Sequence, residues 1–229
     1  MNRKRLVQNI ALFIALLFHV CGLIGILFTS YRDWFIQNTP INLLVITGLL
    51  IITHPQKNKG FFLFFIAACV AGFAAEVIGI NTGLLFGHYT YGNILGTKLF
   101  DVPFIIAINW FMIIYCTGMV TQSYENYMIK KLDERGMAIN KRMLLASFVI
   151  DAACLAFLFD WVMEPVASKL GFWQWEHNEI PNSNYVTWVL ISALLLAIFR
   201  KLNNNSRNLF AVNLFIIQLL FFLVLRTFL

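Results

Sequence analysis

Five acidic residues sit where a lipid bilayer would disfavour them. Glu76 lies near the end of one apolar run, and Asp101 opens the next. Asp151 is in the middle of a third run, Asp160 near its end, and Glu164 just beyond. A carboxylate at the centre of a membrane helix costs roughly 2.5–3.5 kcal/mol on insertion scales, so such acids are expected to have a partner or a function. Asp160 and Glu164 are spaced i,i+4 and share a helix face. Asp151 stands nine residues before Asp160, which turns it about 180° away. The same helix is therefore expected to show acids to two different neighbours. At 1.5 Å per residue, Asp151 lies about 14 Å from one face and Asn109 about 12 Å from the other, so the two are expected to pair near the bilayer centre. The plainer roles are a buried structural hydrogen bond for Asp151 and an ordinary interfacial carboxylate for Glu164. Glu76, Asp101, Asp160 and Glu164 fall at one common depth and are expected to converge on one cavity.

A carboxylic acid kept neutral is a proton donor. Near these acids stand Tyr89, Tyr91, Trp110, Trp161, Trp173, Trp175 and Trp188, whose ring faces attract a cation. A proton donor within aromatic walls suits acid-initiated chemistry on an alkene. One acid protonates carbon, the rings hold the cation, and a second carboxylate orients water. On this reading Asp160 is the acid and Glu76 or Glu164 the water-orienting partner. His88 and His177 lie in two loops on one side, where they are expected to meet and contact substrate. Two ligands do not make a metal site, so no metal is expected. Cys21, Cys69, Cys116 and Cys154 fall on four separate apolar runs with no C-x-x-C spacing, which reads as buried, inert thiols.

The elements that position these residues are membrane helices. The chain of 229 residues is 60% hydrophobic and 12% charged, with mean hydropathy +0.75, which excludes an ordinary soluble domain. Seven apolar runs are expected to span, over 6–29, 34–53, 60–80, 102–122, 142–163, 185–200 and 207–228. The expectation is an all-α polytopic protein, one integral-membrane domain over 1–229. Of 17 Lys and Arg, 13 fall at the N-terminus and in alternate loops on that side. That bias puts the N-terminus in the cytoplasm and the C-terminus outside. It also accounts for the net charge of +6 without a nucleic-acid partner. The segments 81–101 and 164–184 are then outer loops, rich in Gly, Tyr and Trp. They are expected to fold back as caps over the acids, where irregular backbone is tolerated if it lines a cavity.

These residues resemble a known family. Glu76-x-Ile78-Gly79-x-x-Thr82-Gly83-x-x-Phe86-Gly87-x-Tyr89-x-Tyr91 is similar to a motif of the carotenoid biosynthesis membrane proteins of the CruF type. So are Leu95-Gly96, Val102-Pro103 and Trp110. Further matches are Asp151 with Asp160, Met163-Glu164-Pro165-Val166-Ala167, Gly171-Phe172-Trp173-Gln174-Trp175, and Ile180-Pro181-Asn182-Ser183-Asn184 with Trp188. The resemblance covers roughly residues 60–200. Two departures stand out: Glu164 where the family often has Asp, and His177-Asn178-Glu179 where it tends to an aromatic-glycine run. The resemblance implies a carotenoid 1,2-hydratase in the cell (inner) membrane, adding water to the terminal C1–C2 double bond of a ψ-end. It implies no cofactor, a carotenoid substrate of C40 or longer, and contact with other carotenoid-pathway enzymes. A lycopene-type cyclase starts with the same protonation and stays open, as does a non-catalytic carotenoid-binding or transport protein. A retinal sensor would need a lysine in the last run, and residues 208–225 have none.

Overall fold

The computed structural model describes residues 3–138, 140–203 and 206–229. The chain is an all-α, multi-pass membrane protein. Helices α1 (Arg3–Phe28), α4 (Lys59–Thr82), α5 (Ile105–Glu134), α6 (Lys141–Lys169), α7 (Asn182–Leu202) and α8 (Leu209–Phe228) are long and apolar enough to cross a bilayer. The expected second span, 34–53, folds instead as α2 (Arg32–Gln37) and the shorter apolar α3 (Thr39–Thr53). They break at Asn38, with Pro40 in the first turn of α3, where its missing N–H costs nothing.

Three asparagines start helices. Asn58 accepts from the Phe61 N–H at 2.9 Å, Asn140 from that of Arg142 at 2.9 Å, and Asn208 from that of Phe210 at 3.1 Å. Each satisfies a helix donor that has no intrahelical partner. Gly83 ends α4 in the left-handed region at φ 67°, its N–H closing on the Gly79 carbonyl.

Helix α5 is the axis of the bundle. Its apolar window is 78% buried, against 28–33% for the other spans, because it packs on α3, α4, α6, α7 and α8. Its helix runs on past residue 122, so Glu125 belongs to α5 rather than to a loop. There Arg200 of α7 meets it with Nη2 donating to Oε1 at 3.0 Å and Nη1 2.6 Å from Oε2. Only Cys116 of the four cysteines is fully buried; Cys21 and Cys154 face outward, on the lipid side of α1 and α6.

Pro165 lies inside α6 and cannot donate to the Trp161 carbonyl one turn earlier. That carbonyl accepts instead from Arg226 Nη1 of α8 at 2.7 Å. The same guanidinium sits 4.1 Å from the centre of the Trp161 ring. The pair ties α6 to α8 at the only break in the α6 ladder that its sequence dictates. Trp161 is 43% exposed in this position and so is not a wall of the acid site, as its place in the sequence had suggested.

The connections after α4 and α6 cap one end of the bundle. They pair with each other as an antiparallel ribbon of β1 (Tyr89–Tyr91) and β4 (Trp173–Trp175), in the register Tyr89 opposite Trp175 and Tyr91 opposite Trp173. Gly92 extends it, its N–H donating to the Phe172 carbonyl at 2.9 Å. A second hairpin joins β2 (Lys98–Leu99) to β3 (Val102–Pro103). Its two-residue turn is Phe100 and Asp101, at φ 50° and 65°, as a tight hairpin requires of both central residues.

Candidate functional site

The ribbon alternates with period two. Tyr89, Tyr91, Trp173 and Trp175 are buried, while Thr90 and Gln174 face out. All four inward side chains are amphipathic, with an apolar ring and one polar hydrogen to place. All four donate to carboxyls that the helices hold beneath the ribbon.

Glu76 of α4 takes three donors. Tyr89 and Tyr91 both donate to Oε2, the Tyr91 bond at 2.8 Å, and the Trp110 indole donates to Oε1 at 2.9 Å. Glu164 of α6 takes two on Oε2, from Trp173 at 2.9 Å and Trp175 at 2.8 Å. Asp160, one turn earlier, accepts on Oδ2 from the Asn184 amide at 3.0 Å. Its Oδ1 is buried and has no hydrogen-bond partner among the described residues; Glu164 stands one turn further along the same face of α6. Burial, and then the charge of Glu76, push the Tyr89 and Tyr91 phenols far above their ordinary titration range, so both remain donors.

Packing sets the geometry around these bonds. The Trp110 and Trp188 rings stack with centroids 4.0 Å apart and planes 10° from parallel. Trp110 approaches α4 at Gly72, where a Cβ would come within 2.3 Å of the indole, so only glycine fits. Tyr89 leans on Trp175 with ring centroids 4.8 Å apart.

Between the rings is a small cavity. Glu76, Glu164, Tyr89, Tyr91, Trp110, Trp173, Trp175 and Trp188 line it, with Asn109 and Asn184 as amide groups. Its volume is about 20 Å³, measured by where the centre of a water-sized sphere can go. About 10–15 Å³ on that measure holds one water. Asp160 does not line the cavity; it stands behind Glu164.

Two of the expected acids are elsewhere. Asp101 is exposed, because it is the second turn residue of the β2–β3 hairpin and its side chain leaves the bundle. Asp151 is exposed on α6 and does not meet Asn109, which lines the cavity. The half-turn offset explains this: once Asp160 and Glu164 face inward, Asp151 must face out. His88 and His177 are both exposed outside the ribbon and touch no part of the cavity. Among the described residues, no group of three or more His, Cys, Asp or Glu side chains is arranged to hold a metal ion.

Asn184 is the site residue that reading the acids and rings passed over. Its signal was position: an amide in the first turn of a span, at the capped end where Asp160 needs a donor. Phe86, Ile106 and Met163 complete the apolar wall and carry no signal distinct from core residues.

A family model described as "Carotenoid biosynthesis protein" matches residues 39–229. The chain is similar to the bisanhydrobacterioruberin hydratase of Haloarcula japonica, 27% identical over 149 residues, which cover 63% of this chain and 46% of that protein. The match thus spans about half the length of that relative. No solved structure matches the chain.

Proposed function

The chain belongs to the carotenoid biosynthesis protein family, and we propose that within it this protein adds water across the terminal C1–C2 double bond of a carotenoid ψ-end without a cofactor. The observation that carries this reading is the shared cavity. Two carboxyls face it, a third backs one of them, aromatic rings wall it, and it has room for one water beside the acids. The name of the Haloarcula japonica relative points to the same class of reaction.

The roles follow from the hydrogen bonds. Asp160 and Glu164 act as one acid, with Glu164 as its face on the cavity. With Oε2 held by two indoles, Glu164 has one oxygen left to exchange a proton with Asp160 or with substrate. The O–H bond breaks as a C–H bond forms at C2, leaving a carboxylate and a tertiary cation at C1. Trp110, Trp188 and Tyr89 offer ring faces to that cation. Glu76, committed to three donors, is the fixed negative charge opposite it and orients the water. Water bonds to C1 and gives its spare proton to the carboxylate of the pair, which ends as it began. Asn109 and Asn184 are the amides in reach of that water.

The charge bias supports a cytoplasmic N-terminus and an external C-terminus, with the site in the outer half of the cell membrane. The deciding experiment is expression in cells that make lycopene or γ-carotene, followed by product mass. A gain of one water supports the proposal. An isomer of unchanged mass would make the protein a cyclase, and unchanged pigment would make it a binding protein.

A further inference from the structure

Each turnover of the proposed reaction consumes one water, and the cavity between the acids holds about one. The ribbon rings that roof it, Tyr89, Tyr91, Trp173 and Trp175, are between 4% and 9% exposed. A water-adding site closed in this way needs an inlet.

A polar vestibule adjoins one of those rings. It is formed by the end of α6, by β4 and by the turn that follows, and Trp175 belongs both to its wall and to that of the acid cavity. By the same water-sized measure it holds about 320 Å³. Pro165, Trp175 and Ile180 are its apolar lining, while Ser168, Lys169, Gln174 and Asn178 supply a hydroxyl, an ammonium and two amides. Lys169, Gln174 and Asn178 are exposed, so the vestibule opens to solvent. Gln174 Nε2 donates to Asn178 Oδ1, a bond that holds the turn after β4 in place.

Ser168 is an independent sign of a missing partner. It stands four residues after Glu164 on the same face of α6, about 5–6 Å away between Cβ atoms. A helical Ser or Thr commonly satisfies its hydroxyl on the carbonyl one turn back. Thr53, Thr82, Thr117 and Ser123 do so in this chain. The Ser168 Oγ is buried and has no hydrogen-bond partner among the described residues. A buried hydroxyl left unpaired is costly, and a water on it removes that cost. Such a water stands one helical turn from the acid.

We propose that this vestibule is the water inlet of the acid site, that Ser168 holds the incoming water, and that the water enters past the edge of the Trp175 indole. The inference rests on the hydratase reading and deepens it by assigning the path of the water. The Trp175 N–H donates to Glu164 Oε2 at 2.8 Å, so the water arrives beside the carboxyl that is to take its proton.

The test blocks the inlet reversibly. Ser168→Cys is made in a protein whose four native cysteines are replaced, and is treated in detergent with a bulky, water-soluble methanethiosulfonate. Modification should abolish hydration at unchanged carotenoid affinity, and dithiothreitol should restore it, which excludes unfolding as the cause. Thr90→Cys, on the outer face of the ribbon opposite Gln174, should be modified without effect. Ser168→Ala keeps the space and removes the hydroxyl; kcat should fall about threefold to tenfold with KM for carotenoid unchanged. A readout apart from turnover is exchange of the Trp175 indole hydrogen into D2O, followed by NMR, which modification at position 168 should slow. Slowed exchange in a protein that does not hydrate carotenoids would support the inlet and overturn the hydratase reading. Full hydration or unslowed exchange in the modified Ser168→Cys protein would overturn the inlet, as would a thiol at 168 that the reagent does not reach. Hydration lost together with carotenoid binding would overturn the assignment to water and make the vestibule part of the carotenoid's path. Unchanged kcat in Ser168→Ala would overturn the role of Ser168 in holding the water.

Discussion

Glu164→Gln separates chemistry from folding unusually well. Glu164 Oε2 accepts from two indoles at 2.8 and 2.9 Å, and the amide oxygen of glutamine can take both bonds. The new NH₂ then points at Asp160, whose Oδ1 lacks a nitrogen or hydroxyl donor. Every hydrogen bond of the site survives, and one buried acceptor gains a donor. Stability should therefore change by less than about 1 kcal/mol. What is lost is the proton that Glu164 passes to carbon. Loss of a general acid costs about 10²–10⁴ in rate, or roughly 3–5 kcal/mol of barrier. The high end applies here, because an unactivated alkene offers no easier route to the cation. The assay is hydrated carotenoid formed per unit of folded protein in detergent, resolved by chromatography and mass. Asp160→Asn should fail to a similar degree, since its amide keeps the Asn184 bond but cannot reload Glu164. Near-normal turnover by a folded Glu164→Gln protein would refute the paired acid and leave Asp160 or Glu76 to deliver the proton directly.

Three further outcomes follow from the same geometry. Arg226→Ala should lower stability by about 1–3 kcal/mol, read as a fall in unfolding temperature, because the Trp161 carbonyl freed by Pro165 loses its donor; an unchanged melting temperature would show that water replaces the guanidinium. Burial and the charge of Lys57 push His54 down to about 4. An unfolded histidine titrates near 6.5, so the unfolded chain binds the extra proton first. This contribution should be complete above pH 6.5 and be lost as pH falls toward 4, and a His54→Phe variant should show a flatter profile over that window. Cysteines placed at positions 5 and 169 in a cysteine-free protein should be labelled by an impermeant reagent only at 169 in intact cells. Labelling at 5 would invert the topology and move the site to the cytoplasmic half.

Composition and charge made the membrane class legible, because about 20 apolar residues have one common use. The acid pair Asp160–Glu164 was legible too, since i,i+4 spacing fixes a shared face whatever surrounds it. Asp151 shows where reading residues singly goes wrong. Its depth suggested a partner in Asn109, but depth says nothing of azimuth, and the half-turn from Asp160 had already turned it outward. Asp101 was misplaced for a different reason. Its depth matched the other acids, but Phe100 and Asp101 form the turn of a two-residue hairpin that no Gly or Asn announces. The ribbon itself was legible in outline, as two loops folding back, but not in register. Tyr-Thr-Tyr and Trp-Gln-Trp each show period two, yet each is only three residues, too short to read as a strand without its partner across the bundle.

That short ribbon explains how a helical membrane protein can hold three carboxyls out of water. Helices supply the acids but few donors, because their own N–H groups are spent on the ladder. A donor for a carboxylate must then come from a side chain that is itself at ease in an apolar setting. Phenol and indole are such groups: each buries a ring and presents a single hydrogen. Glu76 and Glu164 together receive five of these bonds, four from the ribbon and one from Trp110. Hydrogen bonds to a charged group are worth about 1.5–3 kcal/mol each, enough together to offset the cost of placing the acids at membrane depth. The pairing of β1 with β4 makes this one device rather than five contacts. The tyrosines that hold Glu76 and the tryptophans that hold Glu164 lie opposite each other in register, so the ribbon fixes both acids relative to one another. A shift of one residue in that register would turn the two rings of one strand outward and strip the acid beneath them of its ribbon donors.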